Sequence, residues 1–431
     1  MTMLRPCRLY RKGKNMNRFL KIPKCLAAAG ILLLVFSFCV KAEKAASADV
    51  LPERVVLNIT RTPHNSQAVT WRTREKGTAP AAQILQASKL LHQKNNVRSF
   101  GADTCRIELN DADTAFHHAV MFDALLPATD YAFRVGNDPH WGEWSRFRTA
   151  ADKTEPFTFV YFGDIQKQVQ ALGSQMFRTT ALAVPDAAFW LFAGDMVNNG
   201  PDDREWADFF AALSWMAKTF PLVPVPGNHE YPDPRITPAE KRQITPFWRP
   251  QFTLPDNGPP GLEETVYCFA YQGVFFIVLN GNEQVETQVA WLETILSQKT
   301  SAWIIVSIHQ PVYPISTRRN ITTFQEVLVP VFDRFGVDLV LQGHDHGYAR
   351  TVALKNNRPV SGSEKGTVYI ISNSGPKFYP VSDRYDHLMA RTGSEEMLFH
   401  TIRVDGNTLR FTAFDMMKQP VDTVVIQKTI P

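Results

Sequence analysis

Five short polar segments, each placed directly after an apolar run, carry side chains that bind cations: Gly163-Asp164, Gly194-Asp195, Gly227-Asn228-His229-Glu230, His309 and Gly343-His344-Asp345-His346. Carboxylate, amide oxygen and imidazole together suit borderline ions such as zinc, iron and manganese. Only an acidic side chain bridges two ions at low electrostatic cost, and Asp195 stands between the two groups of ligands. Two ions about 3.5–4 Å apart would clamp a phosphate and generate the hydroxide that attacks it. One such segment alone is more often a turn aspartate or a surface histidine. Five in one order point to a hydrolytic metal site. Each glycine is expected to let the backbone turn sharply, so that the next side chain points inward.

Strands must hold these segments at one edge, and the apolar runs supply them. The sequence predicts strands at Phe157–Phe162, Ala188–Ala193, Leu222–Val225, Val274–Leu279, Trp303–Ile308, Asp338–Leu341 and Val368–Ile371. Helices are expected near Asp203–Lys218, with Asp202 as N-cap, near Glu283–Gln298 and near Thr323–Phe335. Strand followed by helix, repeated, argues for an α/β layered core over residues 156–431, with ligands gathered at the carboxyl ends of strands. The alternating tail from His400 to Lys428 could complete one sheet. Residues 50–150 differ, with short alternating segments such as Ala68-Val-Thr-Trp-Arg-Thr73 and Tyr131-Ala-Phe-Arg-Val135. They predict a small all-β sandwich of about 100 residues, with Trp71 in its core and His117 and His118 as structural residues of a strand.

The chain of 431 residues has a formal charge of +4, yet residues 1–42 hold nine Lys or Arg and no acidic residue. Without them 37 basic residues face 42 acidic ones, and the case for a nucleic-acid partner from overall charge disappears. The segment has a basic stretch, an apolar core from Cys25 to Val40 and then small residues, the pattern of a cleaved signal peptide. Its apolar run is shorter than the roughly 20 residues of a comfortable membrane span. The expected location is therefore periplasmic or secreted, with membrane attachment only if the signal is retained. Export leaves Cys105 and Cys268, too few for a disulfide framework: they are read as two buried small side chains, or as one bridge. Asn58-Ile-Thr60 and Asn320-Ile-Thr322 match a glycosylation pattern that chance also produces.

In their order these segments, together with Val306-Ser-Ile-His309-Gln-Pro-Val-Tyr313 and Gly343-His-Asp-His-Gly-Tyr348-Ala-Arg350, resemble the calcineurin-like metallophosphoesterases, and within them the purple acid phosphatases. The stretch from His118 to Thr149 resembles the end of that branch's fibronectin type III-like N-terminal domain. The resemblance implies a layered β-sandwich flanked by helices, preceded by the smaller sandwich. It also implies one ion held by Asp164, Asp195 and His346, and a second by Asp195, Asn228, His309 and His344. His229 would orient phosphate and protonate the departing oxygen, with Glu230 fixing its ring.

The departures from the family pattern are informative. Where purple members supply a tyrosinate three residues after the bridging aspartate, this chain has Asn198. Where other branches place a histidine two residues after the first aspartate, it has Gln166. Both are candidates for a support role or an extra ligand. Asn198 could orient His229, and water or an amide oxygen would complete the first ion's shell. Arg318 and Arg319 stand where plant-type members carry a histidine pair, and their forks match phosphate oxygens. Tyr348 is either wall packing or a substrate contact. A phosphorylated small molecule or polymer is the expected substrate, attacked as a phosphomonoester. A phosphodiesterase using the same site, or a catalytically weak adhesion protein, is the alternative.

Overall fold

A computed structural model describes residues 48–110, 113–238, 242–299, 301–317, 323–361 and 364–428. The leader at 1–42 and Arg318, Arg319 and Asn320 lie outside the described residues. Two large sheets carry the fold. In the first, the strands Phe157–Phe162, Trp190–Phe192 and Leu222–Pro224 run parallel, and the tail strands Phe399–Asp405, Thr408–Phe414 and Pro420–Gln427 extend one side. In the second, Val274–Leu279, Trp303–Ile308, Leu339–Gln342 and Val368–Ile371 run parallel, with antiparallel strands at both ends.

Alternation along Phe157–Phe162 explains why both faces of that strand are covered. Phe159 meets Phe276 of the second sheet with ring centroids 5.2 Å apart, so this side faces between the layers. Phe162 points the other way, onto Phe177 of the helix Ser174–Ala183 at 5.4 Å. The outer face of the second sheet buries Ile304, Val306 and Ile308 against Leu292, Leu296, Leu328 and Phe332 of the helices Val285–Ser297 and Thr323–Phe335. Full burial of each such side chain contributes about 1.5–3 kcal/mol.

The N-terminal region is the expected sandwich, with Trp71, Phe122, Phe133 and Phe147 in a core cluster of its own. It does not end at its own border. Asn58 of the strand Glu53–Asn58 pairs in parallel with Leu222, so one face of the sandwich continues the first catalytic sheet as a ten-stranded sheet. A buried ion cluster ties the same junction: Asp203, at the start of the helix Asp203–Leu213, accepts from Arg54 at 2.7 Å and from Arg72 at 2.8 Å.

Several expectations need correction. The helix predicted to reach Lys218 ends at Leu213, because Ser214 turns to φ 50°, and it resumes as a 3-10 turn. The helix Ser174–Ala183 escapes the sequence pattern because Gln and Thr dilute its buried stripe and no side chain caps its start. Asp202 does cap the next helix, accepting from the Arg204 N–H at 3.0 Å. Cys105 is exposed and Cys268 buried, and both are free. Asn58 is fully buried, which excludes a glycan there. His118 is held between Thr73 and Thr104, as a structural histidine would be.

Candidate metal centre

The parallel strands end side by side, and the polar segments occupy the loops beyond them. Asp164 follows Phe157–Phe162, Asp195 follows Trp190–Phe192, and Asn228, His229 and Glu230 form a 3-10 turn after Leu222–Pro224. His309 follows Trp303–Ile308, and His344 and His346 follow Leu339–Gln342. Asp195, His309 and His344 form one group able to hold an ion, and Asp164, Asp195 and His346 form another, with ligand atoms within 4.8 Å of one another in each. Asp195 belongs to both, the place expected of a bridging carboxylate.

The glycines act differently from expectation. Of the four that precede ligands, only Gly194 needs positive φ, at 91°. Gly343 is required by space, since a Cβ there would lie 2.3 Å from Oδ1 of Asp164. The sharp turns are taken by the ligand residues themselves: Asp195 has φ 50°, His344 74° and His346 49°. Left-handed backbone at non-glycine residues costs on the order of 1–3 kcal/mol each and concentrates at functional sites.

Neighbouring groups set which nitrogen of each ring is free. His309 Nδ1 lies 2.7 Å from the Ala193 carbonyl, which can only accept, so its proton sits there and the Nε2 lone pair is left for a cation. Asn373 donates its Nδ2 to the Gly375 carbonyl and so turns Oδ1 toward Nδ1 of His346, 3.3 Å away. That leaves Nε2 of His346 to face Oδ2 of Asp164 at 3.5 Å. His344 Nδ1 approaches Nε2 of His309 to 3.1 Å. Two buried oxygens, Oδ2 of Asp164 and Oδ1 of Asn228, have no hydrogen-bond partner among the described residues. A buried orphan acceptor costs about 1–3 kcal/mol. Converging imidazole nitrogens beside orphaned oxygens are the donor set a metal pair requires, so the residues present fit it.

The carboxylates respond to burial in opposite ways. Burial pushes the Asp164 carboxyl well above the usual range. Burial acts on Asp195 too, but His309, His229 and His344 outweigh it and hold that carboxyl well below the usual range. His309 is driven down by burial and more strongly up by the charges of Asp195 and Asp164, reaching about 9. Burial, with the Lys377 charge behind it, lowers His346 to about 3.

Two assigned supports are placed otherwise than expected. Glu230 does not touch the ring of His229. Its carboxylate accepts the backbone N–H groups of Asp195, Met196 and Gly227 at 2.7–2.9 Å, which fixes the loop that carries Asp195. Nδ1 of His229 instead donates to the carbonyl of Asn198 at 2.5 Å, so Asn198 supports the ring through its backbone. Gln166 is held by two hydrogen bonds: Nε2 donates to Oδ2 of Asp195 at 2.8 Å, and Oε1 accepts from Nζ of Lys377 at 2.9 Å. Tyr348 is wall packing, with its hydroxyl on Asp422.

Lys377 is the residue that sequence reasoning missed. Its ammonium also lies 5.1 Å from the ring centroid of Tyr379, which packs edge-on against His346. The signal was present in Ser372-Asn373-Ser374-Gly375, a sixth small polar segment after an apolar strand.

Comparison with known proteins agrees with this geometry. Residues 137–348 match the family described as Calcineurin-like phosphoesterase, and residues 52–149 match Purple acid Phosphatase, N-terminal domain. Acid phosphatase type 7 of Homo sapiens is 26% identical over 383 residues, 80% of this chain and 82% of that protein. Purple acid phosphatase 18 of Arabidopsis thaliana is 24% identical over 321 residues, 72% of this chain and 68% of that one. The purple acid phosphatase PPD1 from yellow lupin seeds superposes with a TM-score of 0.74 at 18% identity, covering 88% of this chain and 74% of its own, which shows a shared fold. Fold, site and both family matches lead to one assignment: the chain belongs to the calcineurin-like metallophosphoesterases, as an acid phosphatase-like hydrolase with a purple acid phosphatase N-terminal domain.

Proposed function

We propose that this hydrolase cleaves phosphomonoesters, and that it does so outside the cytoplasm after export directed by residues 1–42. The observation that carries the reading is the pairing of a buried lone-pair set with a partly exposed histidine. Oδ2 of Asp164 and Oδ1 of Asn228 have no hydrogen-bond partner among the described residues, and Oδ2 of Asp164 faces Nε2 of His346 at 3.5 Å. His229, 27% exposed, stands with Nε2 3.9 Å from Oδ2 of Asp195.

Asp164, Asp195 and His346 would hold one ion, and Asp195, Asn228, His309 and His344 the other. When bound, such a pair supplies Lewis acidity toward the phosphate oxygens and an acidified water. The chain's own residues do the rest. Nδ1 of His229 is committed to the Asn198 carbonyl, so Nε2 is the atom that hands a proton to the departing oxygen. Glu230 keeps the Asp195 loop in place through three backbone N–H groups. Lys377, with Arg318 and Arg319 further along the His309 segment, adds positive charge that favours the dianion of a monoester over a singly charged diester.

The test is turnover of p-nitrophenyl phosphate against bis-p-nitrophenyl phosphate by protein reconstituted with zinc, iron or manganese. The reading expects kcat/KM for the monoester to exceed that for the diester by at least about tenfold. A faster diester would make the protein a phosphodiesterase, and turnover of neither would leave a binding protein.

A further inference from the structure

A groove of about 350 Å³ adjoins the metal centre on the side of Gln166 and Asn198. Four amides, Gln166, Gln168, Gln170 and Asn198, line it together with the carboxylates of Glu205 and Asp208. Two of these residues are shared with the centre. Gln166 donates to Asp195, and Asn198 carries the carbonyl that positions His229. Nε2 of His229, the proton donor of the phosphomonoesterase reading, lies 3.9 Å from Oδ2 of Asp195, the same oxygen to which Gln166 of the groove donates, so the leaving group is protonated next to the groove wall.

The lining chemistry limits what that group can be. Hydroxyls both donate and accept, and amides with carboxylates answer both roles. Among the described residues that line the groove none is aromatic, so they offer an aryl group or a nucleobase no face to stack on. Among the described lining residues the carboxylates of Glu205 and Asp208 outnumber the cation Lys167, which disfavours a leaving group with further phosphates. The walls are held in place: Oε2 of Glu205 accepts the N–H groups of Asn198 and Asn199 at 2.5 and 2.9 Å, and Gln170 donates to Asp208 at 2.7 Å. Gln168 is exposed and sits in left-handed backbone at φ 50° and ψ 40°. A non-glycine residue held there at the rim of a groove is a site of stored strain with its amide turned to solvent.

We propose that this groove is the leaving-group subsite and takes the alcohol part of a polyol monophosphate, a sugar or glycerol phosphate with no second charged group. The proposal rests on the phosphomonoesterase reading and adds the substrate class to it.

The experiment compares kcat/KM for glucose 6-phosphate and p-nitrophenyl phosphate in metal-loaded wild type and in the double variant Gln168→Gly, Gln170→Ala. Glycine is at ease in the left-handed backbone, which protects folding. The sugar-to-aryl ratio should fall about five- to tenfold, the size of one or two neutral hydrogen bonds. An unchanged ratio, or a wild type that prefers adenosine monophosphate to glucose 6-phosphate, overturns the proposal. If no phosphoester turns over at all, the phosphomonoesterase reading fails by itself, and calorimetry still decides the groove. Glucose 6-phosphate should then bind more tightly than inorganic phosphate to wild type and lose that advantage in the variant, whereas equal binding in both proteins refutes the subsite.

Discussion

Two buried charge clusters border the same ten-stranded sheet, and they are built to opposite ends. At the sandwich junction, Asp203 accepts three guanidinium bonds from Arg54 and Arg72, at 2.7–2.9 Å, and Arg72 also reaches Glu53. Burial pushes the Asp203 carboxyl up, and the two arginines overcome it and hold it below the usual range. At the strand ends, Asp164 receives no such fork. One of its oxygens has no hydrogen-bond partner among the described residues, its carboxyl is driven well up by burial, and two histidines confront each other across 3.1 Å. The first cluster completes itself with protein charges and fastens two parts of the chain. The second is incomplete as protein alone, and that incompleteness is what marks it as a site for cations.

This contrast is broken most severely at Asp195, which belongs to both candidate ion groups. Asp195→Asn is expected to lower kcat/KM by at least about 10³-fold, as loss of a preorganised charge at a reacting centre does. Metal content, read by elemental analysis of the purified variant, should fall by at least one ion. Normal turnover with full metal content would refute the shared-ligand assignment.

The opposite pattern is expected at the junction. Asp203→Asn strands buried guanidinium charge, so unfolding free energy should drop by about 3–5 kcal/mol. Denaturant melts check that loss, and metal content per folded chain should not change. A variant that loses its metals instead would mean that the two clusters are coupled.

A third effect concerns charge supplied from outside the described residues. Arg318→Ala and Arg319→Ala, singly and together, should each cost on the order of ten- to a hundredfold in kcat/KM for a phosphomonoester, with metal content intact. Lysine should restore part, since it keeps the charge and loses the fork. Values within about twofold of wild type would make the pair solvated loop charges.

The smallest effect is on pH dependence, and it sharpens the comparison. His309 is raised from 6.5 to about 9 when no cation is present. A raised histidine contributes stability that is complete below its ordinary value and is lost as pH rises through the raised one. The melting temperature of metal-free protein should therefore fall between pH 6.5 and about 9, and metal-loaded protein should not share that fall. Parallel pH profiles for the two forms would argue against His309 as a ligand.

Much of the centre was legible because metal ligands announce themselves by residue type. Asp164, Asp195, Asn228, His309, His344 and His346 each follow an apolar run, and a run of β-branched and aromatic residues is also what makes a strand. Supports were less legible because they act through the backbone. Glu230 binds three N–H groups and Asn198 offers a carbonyl, and neither role is written in a side-chain type. Lys377 was hidden for another reason: a lysine after a strand is usually solvated, and only the fold brings it to Gln166. The continuous sheet through Asn58 and Leu222 depends on pairing between distant segments, which local alternation cannot specify.

The central claim is that the strand-end cluster holds two ions and that turnover depends on them. Elemental analysis of the purified protein through a graded chelator titration, with p-nitrophenyl phosphate turnover measured on each sample, tests it most directly. The expected result is two ions per chain at the start, with the one beside Asp164 and His346 leaving first, because Lys377 occupies the amide oxygen that could have secured it. Activity should fall with that ion and return when it is restored. Full turnover from protein carrying fewer than about 0.1 ion per chain would contradict the account, since metal bound at such a site is part of its chemistry and its fold.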